Sequence, residues 1–129
     1  MRKIIVEAFE DESRPQGGHA VILLYGLDNV PQSTTFRLRP VDGGQHTERR
    51  SLWRNNALSP ITTRVTDRGV EFVVGPDIVG NPMLLSGTPV VIELPDAGIR
   101  GEFLWPSVAP LAPPRRRQLQ TAEFGERSQ

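Results

Sequence analysis

Polar and apolar positions alternate with a period of two over much of the chain, the pattern that turns one face of an extended strand to a core and the other to water. In Thr35-Phe36-Arg37-Leu38-Arg39, Phe36 and Leu38 share one face and the arginines the other. Val70, Phe72 and Val74 alternate with Glu71 and Val73, and Val90, Ile92 and Leu94 alternate with Val91 and Glu93. Ile99, Gly101, Phe103 and Trp105 alternate with Arg100, Glu102 and Leu104. Pro95-Asp96-Ala97-Gly98 joins the last two runs with a turn composition, so residues 88–105 predict a β-hairpin. Residues 20–27 are apolar at nearly every position and flanked by glycine, which predicts a central strand covered on both faces. Residues 3–10 alternate less cleanly, with Ile4, Val6 and Ala8 expected inward and Ile5 and Phe9 outward. Residues 61–66 supply a further strand, turned into 70–74 through Asp67-Arg68-Gly69.

Twelve prolines and twelve glycines recur at short intervals and leave little room for a long helix. About seven short strands without helical segments between them predict an all-β fold, an antiparallel β-sandwich of immunoglobulin-like spacing, with a small β-barrel as the alternative. Phe36, Leu38, Val70, Phe72, Val74, Val90, Ile92, Leu94 and Phe103 are expected in its shared core. Two segments break the pattern. Residues 43–60 form a long polar connection with room for a turn or two of helix capped by Thr47. After Trp105, Pro106, Pro110, Pro113 and Pro114 exclude a central strand. The sandwich domain is therefore placed at 1–109, and a flexible tail bearing proline and arginine at 110–129.

A chain of 129 residues has the size of one domain able to bury a core of its own. The absence of cysteine excludes a disulfide framework, a thiolate metal site and a cysteine nucleophile, and favours a reducing, cytoplasmic location. Met1-Arg2-Lys3-Ile4-Ile5-Val6 opens like a signal peptide but meets Glu7, Glu10, Asp11 and Glu12 before an apolar stretch forms, so it reads as a first strand. No run approaches the roughly 20 apolar residues of a membrane helix, and no membrane is expected as partner. The formal charge is zero, so no global field recruits nucleic acid or anionic lipid. Arg115-Arg116-Arg117 is a compact cationic patch, but Glu123 and Glu126 follow it. The tail reads as solvated, and nucleic acid is not an expected partner.

Candidate chemistry is sparse. His19 and His46 are the two histidines and neither sits in an HxH or HExxH spacing, so no metal is expected. No GxSxG, GxGxxG or P-loop pattern occurs, and no cofactor is expected. Glu7 with Glu10, and Glu93 with Glu102 across the hairpin, are the carboxylate pairs open to acid–base work. Arg100 on the outward face of that hairpin makes a cross-strand ion-pair network the plainer reading. Trp53 is followed by Arg54, Asn55 and Asn56, a flat apolar face beside planar hydrogen-bonding groups of the kind that holds sugars, bases or peptides. The plainer reading makes Leu52 and Trp53 a plug at one end of the sandwich.

The leading expectation is a non-catalytic protein–protein interaction module. It would present sheet edges bearing Ile5 and Phe9, the 43–60 loop and the arginines 115–117 to a protein partner or to a second copy as a homodimer. A carbohydrate- or small-ligand-binding domain centred on Trp53, with Arg54, Asn55, Asn56 and His46, is second. A hydrolase built from His46 and distant acids is third.

Overall fold

The computed structural model describes residues 2–41, 57–81 and 84–110. Among them are eight strands, β1 (Arg2–Lys3), β2 (Val6–Glu10), β3 (Ala20–Tyr25), β4 (Arg37–Pro40), β5 (Thr62–Val65), β6 (Gly69–Val74), β7 (Pro89–Leu94) and β8 (Ile99–Leu104), with one helical turn, α1 (Pro76–Val79). They form two four-stranded sheets, ordered β1-β8-β7-β4 and β2-β3-β6-β5. All pairings within them are antiparallel except β1 with β8, which run parallel. This is the expected all-β sandwich, with two distinct sheets in place of a closed barrel.

The alternating runs fold as their periodicity dictates. Phe36, Leu38, Val70, Phe72, Val74, Val90, Ile92, Leu94 and Phe103 all lie in one buried cluster between the sheets, joined by Ile22, Leu24 and Trp105. Phe36 and Phe72 meet across the interface with ring centroids 5.7 Å apart, a tilted pairing that suits the ring quadrupoles. The hairpin of β7 and β8 turns through Pro95-Asp96-Ala97-Gly98, where Gly98 adopts φ 68°, a left-handed conformation that glycine takes without steric cost.

Two features depart from the sequence reading. Residues 3–10 are not one strand. Arg2 and Lys3 pair with Ile99 and Arg100 in the first sheet, and the chain then crosses to the second sheet as β2. The N–H of Ile4 still donates to the Arg100 carbonyl, while the Ile5 carbonyl already accepts from the N–H of Tyr25. The crossing needs Gly101, on the inward face of β8: a Cβ there would collide with Val6 Cγ2 and stand 2.9 Å from the Ile4 carbonyl oxygen. The second departure is α1, between β6 and β7. Pro76 starts it with a preset φ, Asp77 favours its first turn, and Ile78 plugs the core.

Candidate functional site

The outward face of the β2-β3-β6-β5 sheet does not look like a face turned to water. Register aligns Phe9, Val21, Val73 and Thr62 in one row across the four strands, and Glu7, Leu23, Glu71 and Arg64 in the next. A sheet solvated on one side carries polar residues along that side. Here Val21, Leu23 and Val73 occupy its middle, all essentially buried, with Leu23 at 0% exposure. Along this face lies an open hollow of about 350 Å³, lined by Phe9, Glu10, Asp11, Glu12, Val21, Arg64 and Glu71. Phe9 and Val21 are its apolar residues and the carboxylates make up most of the rest.

The charges around the hollow are held in different ways. Glu71 is buried, and its Oε1 accepts from both Nε and Nη2 of Arg64, each at 3.0 Å. Asp11 is buried too. Its Oδ1 accepts from the N–H of Ser13 at 3.0 Å and from Ser13 Oγ at 2.6 Å, and its Oδ2 from Arg14 Nε at 3.1 Å. Burial alone would raise the Asp11 carboxyl, but these hydrogen bonds and the Arg14 charge outweigh it and hold the group below its ordinary value. Glu10 Oε2 accepts from the N–H of Ala109 at 3.0 Å, and Glu12 is exposed. Four carboxylates against the Arg64 guanidinium leave the lining at minus three, or minus two once Arg14 is counted.

Two edges frame this face. β2 bounds the sheet on one side, with Ile5 at the crossing 74% exposed. Ile5 and Phe9 thus lie on the outward side, as the strand pattern expects, and Phe9 is half-buried in the hollow. β5 bounds the other side, with Ile61 55% and Val65 53% exposed. The N–H of Thr66 donates to the Gly69 carbonyl, so the two-residue alternation of antiparallel bonds turns the backbone groups of Thr63 and Val65 to the open side.

The remaining candidates separate. Trp53, Arg54, Asn55, Asn56 and His46, and the arginines 115, 116 and 117, lie outside the described residues. Glu93 stands opposite Arg100, not Glu102, and is ion-paired with Arg39, while Arg100 also reaches Glu102 at 3.7 Å. That carboxylate pair is an ion-pair network. Glu7 accepts from the Tyr25 hydroxyl at 2.6 Å while Glu10 is engaged by Ala109, so these two do not form an acid–base pair either. His19 is buried, with Nδ1 2.9 Å from the Gly17 carbonyl, and serves the turn before β3. Among the described residues no group of three or more histidines and carboxylates is placed to hold a metal ion, and no helix is long and apolar enough to cross a membrane.

The sequence reading missed Arg64, Glu71 and Val21 as parts of one surface. The available signal was the apolar run at 20–27, which calls for cover on both faces. No family model matches the chain, and neither a curated protein nor a solved structure shows significant similarity to it.

Proposed function

We propose that this chain is a non-catalytic protein-interaction module whose working surface is the outward face of the β2-β3-β6-β5 sheet together with its edges. The observation that carries this reading is the acid-lined hollow holding the half-buried Phe9, beside a β5 edge with Ile61 and Val65 exposed. A half-buried aromatic beside fixed charges is the composition of a recognition patch. The open β5 edge adds a second mode, in which a partner strand extends the sheet.

A second copy is one partner of suitable chemistry, since an edge with exposed Ile61 and Val65 lends itself to two-fold pairing. Taking β1 and β2 together as the first strand, the sheets follow the chain order ABED and CFG, which supports an immunoglobulin-like classification. Such a sandwich stabilised without cysteine is at home in the cytoplasm.

Sedimentation equilibrium over micromolar concentrations tests the homodimer, with a dimer expected that Val65→Lys disperses without loss of stability. A mass holding at 14.3 kDa removes that form of the proposal. For a partner captured by the wild-type chain, binding is expected to fall with Phe9→Lys or with Val65→Lys. Binding that survives both substitutions removes this sheet as the working surface.

A further inference from the structure

We infer that the hollow is the docking site of the chain's own segment 111–119, whose three consecutive arginines lie across its acidic lining. This rests on the sheet face being a recognition surface and names its resident occupant.

Three observations point to this segment. The first is where the described chain ends. The N–H of Ala109 donates to Glu10 Oε2, and the Ala109 carbonyl accepts from the N–H of Gly18. Glu10 also lines the hollow, so the described chain ends one residue past a contact with its lining. The Gly17 backbone packs so closely under Pro110 that a Cβ there would collide with the Pro110 carbonyl oxygen, which holds the chain against the 17–18 turn up to this residue.

The second observation is reach. Four strands spaced about 4.8 Å apart set β2 and β5 roughly 14 Å apart. Pro113 and Pro114 favour an extended polyproline conformation, in which the six steps from Pro110 to Arg116 cover roughly 19 Å at about 3.1 Å per residue. The arginines can therefore meet Glu12 near β2 and Glu71 near β5 without strain.

The third is complementarity. Arg115, Arg116 and Arg117 carry plus three against a lining of minus three, and Leu111 and Ala112 precede them with apolar surface for the half-buried Phe9. Guanidinium forks suit carboxylates whose oxygens retain free lone pairs. A tether this short also holds the segment at roughly millimolar effective concentration, so even weak attraction keeps the hollow filled and an external partner must displace it.

The test uses the full chain. It contains no cysteine, so Gln118→Cys takes a single nitroxide label, and amide resonances report which residues lie near it. Broadening is expected at Phe9, Val21 and Glu71, absent at Asp96 in the β7–β8 turn, and independent of protein concentration. It should fall by about half or more at 1 M salt, where the screening length is about 3 Å, and vanish when Arg115, Arg116 and Arg117 are all changed to glutamate. Broadening absent from the hollow overturns the inference. So does broadening that appears only between a labelled copy and a separate isotope-enriched copy, which makes the occupant a second molecule. The two proposals fail separately: an empty hollow with partner binding still lost on Phe9→Lys sinks only the docking of 111–119, whereas a docked segment beside a partner indifferent to Phe9→Lys and Val65→Lys sinks only the recognition surface.

Discussion

Gly101→Ala is the substitution for which the structure predicts a sign opposite to the usual one. In a strand with room for a methyl group, alanine is more stable than glycine by about 0.5–1 kcal/mol, because glycine loses more backbone freedom on folding. Gly101 faces the core opposite Ile92, under the point where the chain leaves β1 for β2. A Cβ at this position collides with Val6 Cγ2 and meets the Ile4 carbonyl oxygen at 2.9 Å. Overpacking of this kind costs about 1–3 kcal/mol, which outweighs the backbone gain and leaves a net loss of about 1–2 kcal/mol.

A partner substitution separates the two contacts. Val6→Ala alone removes two buried carbons, worth roughly 1.6 kcal/mol at about 0.8 per methylene. In the double variant the Cγ2 collision is gone and the carbonyl contact remains, so the combined loss should fall short of the sum by about 1 kcal/mol. Urea denaturation at constant slope measures each term. Amide exchange adds location: the N–H groups of Ile4 and Tyr25 bond to Arg100 and Ile5 on either side of the crossing, and both should exchange faster in Gly101→Ala. A variant as stable as the wild type, or one destabilised with those two amides unchanged, would refute the reasoning.

Phe72→Ala removes a fully buried ring that packs on Phe36, and chemical denaturation should register a loss of about 3–5 kcal/mol; a loss under about 1 would place the ring outside the core. Asp11 is held below its ordinary value in the folded state, so its contribution is present above the unfolded value near 3.9 and is lost as pH falls through the lower folded one. The stability gap between wild type and Asp11→Asn should therefore be constant above about pH 5 and close below about pH 4, and a gap that does not change in acid contradicts the assignment. The hydrogen bond to Glu7 raises Tyr25 above its ordinary value of 10.0, aided by partial desolvation and the Glu7 charge. Phenolate absorbance should titrate above that value in the wild type and move down in Glu7→Ala, and an unmoved midpoint excludes Glu7 as the cause.

Strands that meet the core with one face announced themselves in the sequence, because Phe36 and Leu38, or Ile92 and Leu94, need only the two-residue period to be placed. The division of residues 3–10 between two sheets was not legible. Ile4 and Val6 point inward whichever sheet they join, and the choice depends on a missing side chain at Gly101, far along the chain. A four-residue helix such as α1 is likewise too short to show a period of 3.6. The hollow was half legible: the continuous apolar run of β3 predicts cover on both faces, but Val73 reads as the water side of an alternating strand and is fully buried. The Arg64–Glu71 contact depends on register across the β5–β6 turn, which composition does not specify.

The two outward faces of the sandwich provide a comparison within one molecule. On the sheet of β8, β7 and β4, the outward positions include Arg37, Arg39, Val91, Glu93, Arg100, Glu102 and Leu104, where Val91 is buried, Arg39 pairs with Glu93 and Arg100 with Glu102. That is how an antiparallel sheet meets water, and its charges contribute little to stability. The outward face of β3 and β6 carries Val21, Leu23 and Val73, with Glu71 beside them on β6 and Glu7 and Arg64 on the flanking strands. Each such side chain gains about 1.5–3 kcal/mol when removed from water, and all three are already buried within the chain. Both faces belong to sheets of equal strand number built from the same chain, so strand propensity does not account for the difference. Packing within the chain accounts for the burial of these three side chains, and what distinguishes this face from the sheet opposite is the acid-lined hollow around the half-buried Phe9.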